Sequence, residues 1–328
     1  MAPVAISAPI TPVDAIHGLK ASLPSAAVPE TLLGVFSRAV QLYPNHELSF
    51  ITSSAHDSSI QTKTFSHFYQ YALSLAKALR AWGKPTGSIV VVYFTEHEDN
   101  MAAVWSCLLA GYVPCLQPAL SAQQAHKEGH VNHIKNLFSS ATWLTSEGGA
   151  DQLQSISGLD VHLFSELKAS VETLDGDFEV HEPRPDDEAI LFLTSGSTGF
   201  SKAVVHTHRT IIAACRAKGQ SYGLTPESKI MNCEFRELRR LRGVELMAMN
   251  AGVGFDHVAG SLEMHVTPLL YGVSQLHVHA SAILSDPLRY LRLIEEKVCD
   301  TLCFELYSSN FILNIVHRSL VRTQLFAR

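Results

Sequence analysis

Seven residues of a short polar segment have the chemistry to hold a polyphosphate group. The segment lies between Leu193 and Ala203, and its two glycines let the backbone turn tightly and approach a ligand closely. Its hydroxyl and backbone N–H groups can donate hydrogen bonds to anionic oxygens, and a lysine adds a positive charge. The candidate phosphate-binding residues are Thr194, Ser195, Gly196, Ser197, Thr198, Gly199 and Lys202.

The neighbours of this polar segment indicate how it is positioned. The apolar run at residues 189–193 precedes it and is typical of a buried strand. The segment is not a Walker A loop, because that motif requires glycine directly before the lysine and serine or threonine directly after it. Here Lys202 lies between Ser201 and Ala203. The sequence therefore predicts a polyphosphate-binding loop at the end of a buried strand.

Strands and helices alternate in the part of the chain that precedes the polar segment. Residues 88–94 form a β-branched apolar run that is typical of a buried strand. Ser66 is predicted to cap an amphipathic helix that ends near Gly83, and further helices are predicted over 99–110 and 122–139. Alternation at this spacing predicts βαβ units and a mainly parallel sheet, which is an α/β fold.

The order Thr194-Ser-Gly-Ser-Thr-Gly-Phe-Ser-Lys202 resembles the phosphate-binding signature of the adenylate-forming superfamily. This superfamily includes acyl-CoA ligases, luciferases and the adenylation domains of peptide synthetases, and most members have proline where this chain has Ser201. Further similarity lies in residues 78–83 and 110–118. The resemblance implies the large domain of these enzymes, with two βαβ subdomains of which the second is incomplete. It also implies that the loop binds ATP together with Mg²⁺.

The resemblance resumes at Gly254 and implies an acyl-substrate pocket. Phe255, Asp256, His257 and Gly260 are the candidate substrate-binding residues. Asp256 matches the position where amino-acid-activating domains keep an aspartate for the substrate ammonium group. His257 can equally match the histidine that many acyl- and aryl-CoA ligases place beside the substrate. The sequence leaves both alternatives open, so it does not predict which carboxylic or amino acid is activated.

Four histidines, at positions 257, 265, 277 and 279, invite interpretation as a metal site. No carboxylate accompanies them at a ligand spacing such as His-Glu-x-x-His. Histidines whose hydrogen bonds are satisfied in a protein core are the commoner case. We therefore predict core histidines here and no metal site built from protein side chains.

The chain divides into a lead-in over residues 1–30 and two predicted α/β subdomains, over 31–182 and 183–328. An atypical insert at 233–252 interrupts the second subdomain and carries four arginines within seven residues. One interpretation is a solvated surface helix. The other, which we favour, is translated non-coding sequence from a gene model that missed an intron.

Members of the superfamily carry later elements that this sequence does not contain. These are an aromatic-Gly-x-Thr-Glu segment, an aspartate for the ribose hydroxyls and a C-terminal lysine that bridges the carboxylate and the α-phosphate. We therefore assign no catalytic residue, and we expect a truncated carboxylate-activating enzyme that is inactive by itself. The alternative hypothesis is a non-catalytic remnant or nucleotide-binding module that keeps only the first part of the fold.

The amino-acid sequence of residues 254–280 resembles the corresponding sequence of fungal multidomain enzymes of the peptide-synthetase type. In these enzymes an adenylation domain precedes a carrier domain and a reductase or thioesterase. The resemblance implies a small carboxylic acid as substrate and a carrier-protein domain as partner, in the same chain or another. Phosphopantetheine would be attached to that carrier domain.

Net charge, hydropathy and cysteine spacing limit the binding partners and the cellular compartment that we expect for this chain. The net charge is −6, which does not favour binding to nucleic acid or to an anionic membrane surface. The sequence has no secretory signal and no run of about 18 apolar residues, so no transmembrane helix is expected. Its six cysteines show no metal-like or disulfide-like spacing, which predicts a reducing compartment, the cytoplasm.

Overall fold

A computed structural model describes most of the chain between residues 28 and 293. The described residues are 28–52, 60–174, 178–194, 201–233, 254–284, 289, 292 and 293. Residues 195–199 of the polar segment lie outside them, as does the insert apart from Cys233. The predictions for those stretches therefore rest on sequence.

The described elements alternate between strand and helix for most of the chain. The first are α1 (Leu32–Leu42), β1 (Glu47–Ile51), β2 (Gln61–Thr64), α2 (Phe65–Arg80), β3 (Ile89–Tyr93), α3 (His97–Ala110), β4 (Val113–Leu116), α4 (Gln124–Leu137), β5 (Thr142–Thr145), α5 (Glu147–Leu153), β6 (Asp160–Leu163) and α6 (Phe164–Val171). The later ones are β7 (Glu188–Thr194), β8 (Lys202–Thr207), α7 (His208–Ser221), β9 (Lys229–Cys233), a π-helix (Ala259–Val266), α8 (Thr267–Leu270), β10 (Ser274–Val278) and α9 (Ala280–Leu284). None of the described helices combines the length and apolarity needed to span a bilayer.

Threonine side chains set the starts of the first two helices. The Thr31 hydroxyl accepts a hydrogen bond from a backbone N–H group in the first turn of α1. At α2 the cap is Thr64, whose side chain accepts from the backbone N–H of His67. The prediction that Ser66 caps this helix was wrong, because Thr64 both ends β2 and caps α2 with no intervening loop.

Six strands form the larger sheet, in the order β6-β5-β3-β4-β7-β8. Every described neighbouring pair in it is parallel except β7 and β8, which are antiparallel. Alternate residues of β3 enter different cores, Val90 and Val92 on one face and Val91 and Tyr93 on the other. A strand buried on both faces is expected in a parallel sheet with helices on each side. The prediction of an α/β fold with mainly parallel sheets is confirmed.

Four strands form the smaller sheet, in the order β2-β1-β10-β9. The early strand β1 pairs in parallel with β10, whereas β7 and β8 extend the larger sheet beside β4. Each sheet therefore contains strands from both sides of residue 183, where the sequence predicts a subdomain boundary. The division of the chain at that residue stays a prediction.

Trp105 of α3 joins three elements in the main core. Its side chain is 1% exposed, and its ring centroid lies 4.6 Å from that of Phe36 on α1. The indole N–H donates to Nε2 of His265 in the π-helix at 2.8 Å. A buried tryptophan normally finds such a partner for its N–H group. This packing fixes the π-helix against α3.

Two glycines inside helices provide a matched test of the packing. A methyl group at Gly129 of α4 would meet no atom within 4 Å, whereas one at Gly219 of α7 would overlap the buried ring of Tyr271. We expect Gly129→Ala to raise the free energy of unfolding by about 0.5–1 kcal/mol, since alanine is the better helix former. We expect Gly219→Ala to lower it by about 1–3 kcal/mol, because the ring must move within a packed core. Urea denaturation checks both values, and similar effects from the two variants would contradict the described packing of α7.

Candidate functional site

The predicted phosphate-binding segment starts and ends at paired strand residues. Thr194 is the last residue of β7, Lys202 is the first of β8, and the two are register partners. The Thr194 hydroxyl donates to the backbone oxygen of Lys202 at 3.3 Å. Both side chains are exposed. The other predicted residues lie outside the described part of the chain, namely Ser195, Gly196, Ser197, Thr198 and Gly199.

The paired ends lie at the carboxyl edge of the larger sheet. Thr194 ends β7, and Gln117 directly follows the neighbouring strand β4. The backbone N–H of Gln117 donates to the Val92 oxygen of β3 at 3.0 Å, which continues the strand pairing. Ligands of open α/β sheets bind outside the carboxyl ends of the strands. The position of Lys202 therefore fits a ligand-binding site.

Two histidines of α4 contact Ser201, the residue directly before Lys202. Nε2 of His133 lies 2.8 Å from the Ser201 carbonyl oxygen, so this nitrogen donates. Nδ1 of His130 lies 3.3 Å from the Ser201 hydroxyl oxygen, and its Nε2 lies 3.1 Å from the Gln117 amide oxygen. Sequence reasoning missed both histidines, although a spacing of three residues within a predicted helix indicates a shared face.

The partners of His130 determine its tautomer. The amide oxygen of Gln117 can only accept, so Nε2 of His130 carries the proton and Nδ1 accepts from the Ser201 hydroxyl. Gln117 is buried, and its amide nitrogen donates to the Pro118 oxygen at 2.7 Å, which fixes the orientation of the amide. Partial burial, with the neighbouring His133, lowers the pKa of His130. The ring is therefore neutral at pH 7.

The predicted substrate-binding residues divide between buried and accessible positions. Phe255 and Gly260 are buried, and the Phe255 ring lies 5.6 Å from that of His265. Asp256 is half-buried and His257 is exposed. Of these four, Asp256 and His257 thus have the accessible polar side chains.

His257 also stabilises the start of the π-helix. Its Nδ1 accepts from the backbone N–H of Ala259 at 3.1 Å, and its carbonyl oxygen accepts from the Ser261 hydroxyl at 2.9 Å. Nδ1 is therefore the unprotonated nitrogen of a neutral His257, and Nε2 carries the proton.

Three histidines form a buried cluster beside Phe255. The ring of His277 lies 5.7 Å from that of His97 and 5.9 Å from that of His265. The Gln275 amide oxygen accepts from Nδ1 of His265 at 2.8 Å and from Nε2 of His277 at 3.0 Å. Burial lowers the pKa of all three, to about 4 for His97 and His265. His265 and His277 are hydrogen-bonded core residues, as the sequence predicts. The same prediction was wrong for His257, which is exposed, and for His279, which is half-buried, because both lie at the ends of their elements rather than inside them.

Three described cysteines are poor candidates for a nucleophile. Cys107, Cys115 and Cys215 are free and buried. Burial raises the pKa of Cys107, of Cys115 to about 12 and of Cys215 to about 11. These thiols are therefore protonated at pH 7, whereas the reactive form of cysteine is the thiolate.

A separate cavity of about 530 Å³ lies at the opposite edge of the larger sheet. Its lining includes Val113 and Glu188, the first residues of β4 and β7, together with His181 and Arg184. None of the predicted site residues lines this cavity. The predicted site and this cavity therefore lie at opposite ends of the same strands.

The two residues that flank the polar segment in the structure have side chains suited to binding the phosphates of a nucleotide. Thr194 supplies a hydroxyl and Lys202 a cation at the carboxyl edge of the sheet. Within the described ranges, no group of three or more His, Cys, Asp or Glu side chains is arranged to hold a metal ion. Mg²⁺ at such sites is usually bound through substrate phosphates and water with one or two carboxylates. A Mg²⁺ ion that accompanied ATP would therefore draw ligands from the phosphates.

The profile of one protein family, described as AMP-binding enzyme, matches residues 36–300. This range includes both strand ends of the polar segment and all four predicted substrate-binding residues. The chain belongs to the AMP-binding enzyme family. The predicted resemblance to adenylate-forming enzymes is thereby confirmed, and AMP-binding enzymes use ATP in forming adenylates.

The chain is 67% identical over 330 residues to atromentin synthetase invA5 of Paxillus involutus. It is 66% identical over 333 residues to invA6 of the same fungus, which is named an inactive atromentin synthetase. Each alignment covers 100% of this chain and 32% of the relative. The chain thus spans about a third of the length of these relatives. The predicted similarity to fungal peptide-synthetase-like enzymes is confirmed.

The fold of this AMP-binding chain is shared with solved adenylation domains. A structure of McyG A-PCP complexed with phenylalanyl-adenylate superposes with a TM-score of 0.69 at 20% identity. The superposition covers 82% of this chain and 39% of that chain. At this identity the similarity establishes the fold, which is that of the large domain of adenylate-forming enzymes.

Proposed function

We propose that this chain contributes the nucleotide-binding part of an adenylation domain that activates a small carboxylic acid as an acyl-adenylate. The observation that carries the proposal is the pairing of Thr194 with Lys202 at the carboxyl edge of the larger sheet. That pairing presents a hydroxyl and a cation where an α/β fold binds ligands. Membership of the AMP-binding family and the similarity to atromentin synthetases support the same function.

The proposed reaction needs no protein nucleophile. An oxygen of the acid's carboxylate attacks the α-phosphorus of ATP and forms a new P–O bond. The bond from the α-phosphorus to the bridging oxygen breaks, and pyrophosphate leaves with the electron pair. The protein must orient two anions and stabilise the charge that develops on the phosphates. Lys202 supplies positive charge in this scheme, while the hydroxyls and N–H groups of 194–199 donate hydrogen bonds.

The acid is proposed to bind beside residues 254–260. Phe255 and Gly260 would shape the pocket, since Phe255 is buried shortly before the π-helix and Gly260 is buried within it. Asp256 would bind the ammonium group of an amino acid, or His257 would contact the carboxylate of a plain acid. The exposure of His257 leaves its Nε2–H group available for the second role.

The domain organisation is also part of the proposal. We propose a lead-in over 1–30 and subdomains over 31–182 and 183–328, with a carrier domain as partner that bears phosphopantetheine. The acyl group would pass from the adenylate to that carrier. Peptide mapping of the natural protein across residues 233–252 tests the insert. If these residues come from an intron that the gene model missed, the natural protein lacks them and yields no peptide from this stretch.

The test of the function is ATP–pyrophosphate exchange with a panel of carboxylic acids. We expect acid-dependent exchange from the polypeptide encoded by the complete transcript, and none above background from residues 1–328 alone. The reason is that the later superfamily elements for adenine, ribose and the bridging lysine are missing from this sequence. Exchange by residues 1–328 at the rate of the complete polypeptide would contradict the requirement for those elements.

A second candidate function is a non-catalytic nucleotide-binding remnant. The observation that favours it is the 66% identity to a relative named inactive, almost equal to the identity with the atromentin synthetase invA5. Absence of exchange from the complete polypeptide, together with measurable ATP binding by calorimetry, would support this candidate over the first.

A further inference from the structure

We propose that His130 and His133 are positioning residues that hold Ser201, and through it Lys202, in the geometry that binds the phosphates of ATP. This inference rests on the proposed function, because the effect is exerted on the lysine assigned to phosphate binding. Neither histidine is expected to touch the nucleotide. We call the two histidines, Ser201 and Gln117 the α4 clamp.

The α4 clamp holds Ser201 by both its backbone and its side chain. His133 donates to the Ser201 carbonyl oxygen at 2.8 Å, and the Ser201 hydroxyl donates to Nδ1 of His130 at 3.3 Å. On the far side, the Thr194 hydroxyl bonds the Lys202 backbone at 3.3 Å. The backbone at the start of β8 is therefore fixed from two directions, whereas the Lys202 side chain stays exposed.

The support for the α4 clamp is rigid. Val131 and Ile134, which alternate with the two histidines along α4, are fully buried in the core cluster that also contains Leu193. Ala203, the residue after Lys202, packs against the same cluster. The other end of the clamp, Gln117, is 2% exposed and tied to β3 through its backbone. A functional residue keeps its geometry when its supporting partners are locked by packing and hydrogen bonds in this way.

The chemistry of the clamp indicates positioning rather than nucleophilic catalysis. The line Ser201–His130–Gln117 has the order of a serine–histidine–acid triad, but it ends in a neutral amide. In such triads the acid stabilises the imidazolium that forms when histidine takes the serine proton. Gln117 provides no negative charge for that purpose, so we assign Ser201 and His130 to orientation of the strand end.

The test compares two polar replacements of His133 that differ in reach, both made in the polypeptide encoded by the complete transcript. The amide nitrogen of His133→Gln can occupy the position of Nε2 and donate to Ser201, whereas the shorter His133→Asn cannot. We expect His133→Asn to raise the Kd for MgATP and the KM for ATP in exchange about five- to tenfold, the effect of one lost hydrogen bond. The KM for the acid and the midpoint of thermal unfolding should not change. His133→Gln should return both ATP constants to within about twofold of wild type.

The outcomes separate this inference from the proposed function. The clamp would be overturned if His133→Asn and His133→Gln changed the ATP constants equally. It would also be overturned if His133→Asn raised the KM for ATP and the KM for the acid together and lowered the midpoint of thermal unfolding. A complete wild-type polypeptide that binds MgATP without exchange would overturn the adenylation function. The clamp would stand in that case if only His133→Asn weakened MgATP binding. A wild-type protein that binds no MgATP would overturn both.

An independent measurement needs no nucleotide. The imidazole ¹⁵N chemical shifts of His130 should report a proton on Nε2, and Ser201→Ala should move the Nδ1 signal because its donor is lost. An Nδ1 signal that is the same in Ser201→Ala and wild type would overturn the clamp.

Discussion

Lys202→Ala is expected to reduce kcat/KM for ATP in pyrophosphate exchange by about 100-fold. Removal of one preorganised group that stabilises developing charge costs about 10²–10³ in rate in other enzymes. Lys202 begins β8 opposite Thr194, the last residue of β7, and its exposed side chain has room to reach a phosphate. The measurement is exchange by the complete polypeptide at saturating acid.

The control for Lys202→Ala is Lys229→Ala. Lys229 is also exposed and is also the first residue of a strand, β9, but it lies at the amino end of a parallel strand. We expect this variant to keep exchange within about twofold of wild type. Lys202→Arg should recover only part of the activity, since a guanidinium keeps the charge but not the compact shape of an ammonium group. Exchange kinetics of Lys202→Ala equal to wild type would remove Lys202 from the site.

Acidification from pH 7 to pH 4.5 is expected to destabilise the fold through the buried histidine cluster. The folded-state pKa of His97 and His265 is about 4, and burial holds that of His277 well below 6.5. In the unfolded chain these groups titrate near 6.5. Below that pH the unfolded state binds more protons than the folded state, so the free energy of unfolding falls as the pH falls. The expected loss by pH 4.5 is about 2–3 kcal/mol for His97 and a similar amount for His265, and His277 acts in the same direction.

Urea denaturation between pH 7.5 and pH 4.5 measures this dependence. His277→Gln removes one titrating group while its amide nitrogen can still donate to Gln275, so the slope of stability with pH should decrease by up to about 1.4 kcal/mol per pH unit. Replacement of the exposed His126 on α4 by glutamine should leave the slope as in wild type. An unchanged slope in His277→Gln would exclude the cluster as the cause of acid sensitivity.

Local pattern was sufficient to predict most elements of the fold. The β-branched run that forms β3 and the helical spacing that forms α1 and α2 each produce their structure through burial of one face or both. The cap of α2 could not be predicted reliably, because Thr64 and Ser66 are both good caps and only the end of β2 selects between them. The α/β class followed from alternation alone.

The candidate site could be predicted in its types of residue but not in its supports. The glycines, hydroxyls and lysine of 194–202 indicate phosphate chemistry from their order along the chain. His130 and Gln117 are distant from Ser201 in sequence, and no local pattern links them. Their contact exists because β4 lies beside β7 in the sheet, which brings the end of one strand near the end of the other.

The sequence by itself determined the family and the α/β class, and it predicts phosphate-binding chemistry for 194–202, because each inference depends on residue type at short spacing. Only the tertiary structure decided the pairing of β1 with β10 and of β4 with β7, which brings together parts of the chain on both sides of residue 183. It also decided that His265 and His277 share Gln275 in a buried network. Such pairings depend on which apolar faces cover one another in the packed core, and that choice involves residues far apart in the chain.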